Sequence, residues 1–233
     1  MSAPKRPGGR KPQRSSAQAA RAAATRRDRR RTLLMRSGAV AVVAAVGVFL
    51  LIRAGGGNSS GSSHPSFVVG HPGPGADAPP IQLDSTAGGT FNLSAQRGKT
   101  VLLYFQEGVG CQPCWDQMHA IEQHWQQFQR LGVNEFVTIT GDSLDQLRQK
   151  VSDEGLHTPV LADPKLSLGP TYEANKFGMM GTSAYGHSFL LVGPDGKIVW
   201  RADYGGAPNF TMYVGPPALL ADLRAGIGPT TTT

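Results

Sequence analysis

The feature that most restricts this chain is an apolar run with arginines at both ends, SGAVAVVAAVGVFLLI from Ser37 to Ile52, closed by Arg53. Extended back through Leu33, Leu34 and Met35 it makes about twenty residues interrupted only by Arg36, enough as helix to cross the roughly 30 Å of a bilayer core. It is apolar all round, unlike the one-sided helices that cover a soluble core. A cleaved signal peptide is the alternative, but about thirty residues precede the run, and the RAGGGNSS after it offers no A-x-A site. The expectation is an uncleaved signal anchor over residues 33–53.

The anchor also divides the charge. The formal net charge is +7, yet residues 1–36 hold twelve Lys and Arg against one acid, Asp28, leaving 11 basic and 15 acidic residues beyond them. The basic character belongs to a tail over residues 1–32, which has no aromatic residue, and the body has no basic counterpart. That argues against nucleic acid as a partner. The positive-inside rule leaves the tail in the cytoplasm, where it meets the lipid bilayer and its anionic head groups, and exports everything after Arg53. The expected location is the cell membrane, single-pass, with the folded domain outside the cytoplasm. Residues 54–80, rich in Gly, Ser and Pro, read as a flexible linker reaching about 30 Å. Residues 228–233, GPTTTT, read as a disordered tail.

Residues 81–227 form the one segment with a globular pattern. A short strand and a Gly98-Lys99 turn lead to a buried strand over Thr100–Phe105. From Pro113 a helix carries Met118, Ile121, Trp125, Phe128 and Leu131 on one apolar face. VNEFVTIT, Val133 to Thr140, is a second core strand, and DSLDQLRQKVSDEG is a capped helix stopping at Gly155. SFLLVGPDGKIVWRADY is a hairpin turning at Pro194-Asp195-Gly196, and PPALLADLRAGIG is a terminal helix. The order β-α-β-α-β-β-α implies an α/β domain, a mixed sheet with helices on both faces. There is no phosphate-binding glycine loop, and GMMG at Gly178–Gly181 does not supply one, so no cofactor is implied.

The chain's two cysteines, Cys111 and Cys114, lie where the buried strand ends and the helix begins. As a structural staple they would close a very small loop and stabilise little. As half of a zinc site they would need His119 and His124, which lie about 140° apart around a helix and converge poorly. As a redox couple they are well placed. Unpaired N–H groups and the helix dipole favour a thiolate at Cys111. Cys114, one turn in and more buried, can attack a mixed disulfide formed there. Pro113 fits the first turn, where its missing N–H costs nothing.

The strand–CQPC–helix unit, followed by strand, helix, hairpin and helix, resembles an extracytoplasmic thioredoxin-fold protein of the redoxin/TlpA-like group over roughly residues 76–227. The resemblance implies a thioredoxin-like fold, with Cys111 as nucleophile, Cys114 as resolving thiol and Gln112 and Pro113 meeting substrate. Where such proteins carry a cis-proline before the hairpin, this chain has Gly186 or His187; Gly110 stands for the usual tryptophan and Tyr104 for the buried acid. His187 is then expected to face the CQPC turn, lowering the Cys111 pKa or touching substrate. Glu107, ahead of Asp116 and His119, is the candidate for handling the Cys114 proton. The implied function is exchange of disulfides with protein thiols outside the cytoplasm, in the reducing direction, with a membrane or extracytoplasmic electron donor.

Two alternatives come with the resemblance. Redoxin-like domains include peroxiredoxins, whose signature places Pro seven and Thr or Ser three residues before the cysteine. For Cys111 those positions are Tyr104 and Gly108, and for Cys114 they are Glu107 and Cys111. The other alternative is a tethered binding module that keeps the fold without the chemistry.

Overall fold

The computed structural model describes residues 66–227. The basic tail, the expected anchor, the first part of the linker and the C-terminal tail lie outside the described residues. Among the described residues no helix is long and apolar enough to cross a membrane.

Seven strands make one sheet: β1 (Gln82–Ser85), β2 (Thr90–Asn92), β3 (Val101–Phe105), β4 (Glu135–Thr140), β5 (Val160–Ala162), β6 (Ser188–Val192) and β7 (Ile198–Asp203). Among the described residues five α-helices accompany them: α1 (Gln112–Gln123), α2 (Trp125–Arg130), α3 (Leu144–Glu154), the single turn α4 (Gly169–Tyr172) and α5 (Pro216–Ile227). The strand order is β2-β1-β5-β4-β3-β6-β7. β3 is central and buried along its whole length, as the unbroken run VLLYF requires. It pairs in parallel with β4, from Val101↔Glu135 to Phe105↔Ile139, and antiparallel with β6, from Val101↔Val192 to Phe105↔Ser188. The domain is a thioredoxin-like α/β fold with a mixed sheet.

Alternation along β3 sorts its side chains between two cores. Leu102 and Tyr104 join Cys114, Trp115, Met118 and Ile121 of α1. Val101, Leu103 and Phe105 join Leu168 and Tyr172 on the other face. The expected helices on both faces are therefore present but unequal. The links β3-α1-β4 and β4-α3-β5 step the same way along the sheet, and right-handed crossovers that do so leave both helices on one side. The opposite face is covered by α4 and 3-10 turns.

Three local expectations are corrected. The helix beginning at the cysteines stops at His124 (φ −108°, ψ 13°) before resuming as α2, and the His124 ring donates to the Ala120 carbonyl at 2.9 Å. Met118, Ile121 and Phe128 are nonetheless buried on one face. β1 and β5, too short for a periodic signal, extend the sheet beyond the expected strands. The linker expectation fails from Phe67 onward. Val68 bridges Asp203, Asp77 bridges Lys197, and Phe67 packs edge-on against Trp200 and Tyr204.

That segment is held by a buried ion pair the sequence did not disclose. Arg201 and Asp203, both with fully buried side chains, face each other across two hydrogen bonds of 2.8 and 3.0 Å. Asp203 also accepts from the Gly70 N–H at 2.7 Å, and Arg201 donates to the Pro72 carbonyl at 3.1 Å. One ion pair thus satisfies the backbone of the incoming chain.

His187 and Gly186, just before β6, are buried rather than presented to solvent. A Cβ on Gly186 would overlap the Phe177 carbonyl, so only glycine allows this approach. The His187 ring packs against Tyr104, Phe189 and Tyr204 and shares a 2.7 Å hydrogen bond with the Tyr104 hydroxyl. Burial lowers its pKa to about 3. His187 is therefore neutral and enclosed, because an imidazolium would be desolvated there without a counter-charge.

Two outcomes follow from these buried groups. Asp203→Ala should cost about 3–5 kcal/mol in urea denaturation, since it strands the Arg201 charge; a loss below about 1 kcal/mol would show the pair to be dispensable. For His187 the unfolded chain binds a proton below about pH 6.5 that the folded chain refuses until about pH 3. Its contribution is complete above pH 6.5 and is lost as pH falls through that window. Between pH 7 and pH 5 the protein should lose about 2 kcal/mol that His187→Asn does not lose. Equal pH slopes for the two proteins would refute this assignment.

Candidate active site

The site is built on the loop from β3 to α1. A chain leaving the middle of a sheet exposes backbone groups that must find partners, and those around Gly108 do so close by. The Gly108 carbonyl accepts from the Cys111 N–H at 3.0 Å and the Trp115 indole N–H at 3.1 Å. The Gly108 N–H donates to the buried Gln106 carboxamide at 3.0 Å, and the Val109 N–H to the Asp142 carboxylate at 2.9 Å. The same Asp142 oxygen takes the Thr140 hydroxyl at 2.6 Å. Gly108 has φ +113°, and any Cβ there would collide with that oxygen. The loop is pinned from beneath by the end of β4.

Cys111 is the N-cap of α1, and Pro113 lies in the first turn. Cys111 and Cys114 are joined by a disulfide, with Cα atoms 5.3 Å apart. Cys111 is half-buried and Cys114 fully buried, the asymmetry expected from their positions one turn apart. Gln112 and Pro113 between them are exposed. Trp115 is fully buried as a packing residue.

Around this turn α1 and α3 share a polar cluster. The Gln112 side chain donates to Asp116 at 3.1 Å and to Glu154 at 3.4 Å, and accepts from Lys150 at 3.2 Å. Lys150 donates to Glu154 at 2.5 Å, and His119 to the other Glu154 oxygen at 3.0 Å. Hydrogen bonds from Lys150 and then His119, with burial opposing, hold the Glu154 pKa at about 2.

The two cysteines, Gln112 and Pro113 come together in one turn; Gly186 and His187 belong to the core. Glu107, half-buried, accepts from the Met179 N–H at 2.6 Å and so ties down the Gly178–Gly181 loop. Its charge adds to burial in holding the Tyr104 pKa well above the ordinary tyrosine range. His119 is engaged with Glu154 and His124 with a backbone carbonyl. No group of three or more His, Cys, Asp or Glu among the described residues could hold a metal ion. Sequence reasoning missed Gln106, Thr140, Asp142, Lys150 and Glu154. Asp142 had a signal, since it opens the helical run DSLDQ, but the N-cap is Ser143, whose N–H meets Gln146 at 3.3 Å. That leaves Asp142 free to serve the cysteine loop.

Residues 74–201 match the AhpC/TSA family. The thiol-disulfide oxidoreductase ResA of Bacillus subtilis (strain 168) is 26% identical over 125 residues, 54% of this chain; the chain covers 64% of that protein's length. A putative peroxiredoxin of Mycobacterium tuberculosis (strain CDC 1551 / Oshkosh) is 30% identical over 129 residues, covering 54% of this chain and 82% of the relative. The fold is similar to that of the peroxidoxin BcpB from Mycobacterium tuberculosis, with a TM-score of 0.54 and 18% identity over 66% of this chain and 97% of that one. It is equally similar to Mycobacterium bovis AhpC, with a TM-score of 0.54 and 16% identity over 66% and 96% of the two chains. With a family match spanning more than half its length, laid over a thioredoxin-like sheet whose central strand delivers a paired-cysteine turn, the chain belongs to the AhpC/TSA family of thioredoxin-fold redox enzymes.

Proposed function

We propose that this protein is a membrane-tethered thiol-disulfide oxidoreductase that works outside the cytoplasm through Cys111 and Cys114, in the reducing direction. One observation carries the reading: the two cysteines form a disulfide at the start of α1, with Cys111 half-buried and Cys114 buried one turn further in. That arrangement suits attack by one sulfur and resolution by the other.

In the reaction, the Cys111 thiolate attacks one sulfur of a substrate cystine. A Cys111–substrate bond forms, the substrate S–S bond breaks, and the displaced sulfur leaves as a thiolate that takes a proton. Cys114 then gives up its proton and attacks Cys111 Sγ, forming the Cys111–Cys114 disulfide and releasing the second substrate thiolate, which is protonated in turn. The substrate gains two electrons and two protons, and the dithiol is restored by an external dithiol donor. The dipole of α1 favours the Cys111 thiolate at its N-terminus.

A polypeptide substrate is supported by what surrounds the turn. The large hydrophobic residues exposed among those described are Val68, Val69, Met179, Met180, Phe210 and Tyr213. Val68 bridges Asp203 where β7 finishes, and the Met179 N–H meets Glu107 just past the end of β3, the end of the sheet that carries the cysteines. Flexible methionines suit surfaces that meet varied partners. The anchor over residues 33–53 and the basic tail before it supply the membrane tether.

A second reading, thiol peroxidase, is favoured by the 30% identity to a putative peroxiredoxin. Against it, Tyr104 and Gly108 occupy the positions of the peroxiredoxin Pro and Thr, and both are committed to packing.

In detergent-solubilised full-length protein, Cys111→Ser should reduce insulin disulfides no faster than a blank, and Cys114→Ser should accumulate mixed disulfides on non-reducing gels. Activity retained by Cys111→Ser, or hydrogen peroxide consumed far faster than by free thiol, would sink the oxidoreductase reading. For topology, alkaline phosphatase fused after Thr233 should be active in cells, since it folds only outside the cytoplasm; an inactive, intact fusion would rule out the proposed orientation.

A further inference from the structure

We propose that Lys150 and Glu154, delivered to the CQPC turn by α3, are positioning residues whose opposed charges set how readily Cys111 ionises. The inference rests on the dithiol reading above and deepens it.

An exposed lysine–glutamate pair one helical turn apart is ordinarily worth little, because both side chains move and water screens them. This pair is different in its surroundings. The Lys150 and Glu154 side chains retain only 23% and 17% of their exposure. The ammonium is fixed at three places: on Glu154, on the Gln112 carbonyl oxygen, and over the Trp115 ring, 5.5 Å from its centroid. The carboxylate is fixed at Lys150, His119 and the Gln112 amide. Gln112 directly follows Cys111, and Trp115 shares the Gly108 carbonyl with the Cys111 N–H. Both charges are therefore tied to the turn that carries Cys111, through the side chain of the residue after it. Glu154 is ionised throughout the neutral range, because hydrogen bonds from Lys150 and His119 outweigh its desolvation.

The electrostatic consequence has a sign. A nearby ammonium favours the thiolate, and a nearby carboxylate disfavours it. Present together, they oppose each other. The carboxylates of Asp116 and Asp142 also lie beside the turn and are unchanged by either substitution, so neutralising Lys150 or Glu154 tilts the balance at Cys111 toward the partner left behind. A clamp that merely steadied the first turn of α1 would behave otherwise, since loosening it from either side would move Cys111 in one direction.

The test uses full-length protein in detergent carrying Cys114→Ser, so that Cys111 is the lone thiol and its ionisation is followed by thiolate ultraviolet absorbance against pH. Lys150→Met should raise the Cys111 pKa and Glu154→Gln should lower it, each by at least half a unit, about a threefold change in the thiolate-to-thiol ratio. Lys150→Arg, which keeps the charge, should stay with the parent. In protein with both cysteines, Glu154→Gln should raise the reduction potential and Lys150→Met lower it, because a stabilised thiolate stabilises the reduced form. Shifts of one sign for both neutralising variants, no shift at all, or an arginine variant that behaves like methionine would overturn the proposal. None of those results would touch the oxidoreductase reading, which stands or falls on exchange by Cys111→Ser and Cys114→Ser.

Discussion

The site hangs on a single carbonyl, that of Gly108. It accepts from the backbone of Cys111 and from the indole of Trp115, so it fixes both the start of α1 and the side chain on which the first turn rests. The carbonyl is held in turn because its peptide has nowhere else to go. Gly108 adopts a conformation that a side chain would forbid, with the Asp142 carboxylate where a Cβ would sit. Asp142 comes from the end of β4, and β4 is in register with β3 from Val101↔Glu135 onward. The geometry at the cysteines is thus an outcome of strand pairing in the middle of the sheet.

The same pairing explains why α3 reaches the cysteines at all. Two successive right-handed crossovers, stepping in one direction along the sheet, leave α1 and α3 side by side on one face. Lys150 and Glu154 at the end of α3 then fall beside Gln112 at the start of α1. The other end of the chain is held by different means. Arg201 and Asp203 on β7 pair with each other inside the protein and use their remaining valences on the backbone of residues 70–72. A buried ion pair of this kind is costly unless every polar atom is satisfied, and the incoming segment completes it.

The relatives carry names from two chemistries, a thiol-disulfide oxidoreductase and a putative peroxiredoxin, which agrees with how little the fold itself decides. The features on which the oxidoreductase proposal rests are local. Cys111 and Cys114 are one helical turn apart and bonded to each other, while the positions a peroxidase would use before its cysteine are a buried tyrosine and a conformationally committed glycine.

Much of this was legible in the order of residues. VLLYF announces a strand buried on both faces, PDG a tight hairpin, and the spacing of Met118, Ile121 and Phe128 a helix with one inward face, because each signal depends only on neighbours within a turn or a pleat. The position of the cysteines at a helix start, and hence which one is more exposed, was equally local. Other features were not local. β1 and β5 are strands of four and three residues that exist because the sheet offers them a neighbour. The segment from Phe67 reads as linker and is ordered by a charge pair more than 120 residues away. His187 lies in a stretch that reads as a loop beside the cysteines, and the aromatic core around it makes it a neutral packing residue. The sequence alone determined that a dithiol stands at the end of the central strand. Only the tertiary structure decided which carboxylate holds its loop and which charges meet Gln112 beside it, because those partners meet through strand register and crossover handedness, which no local pattern encodes.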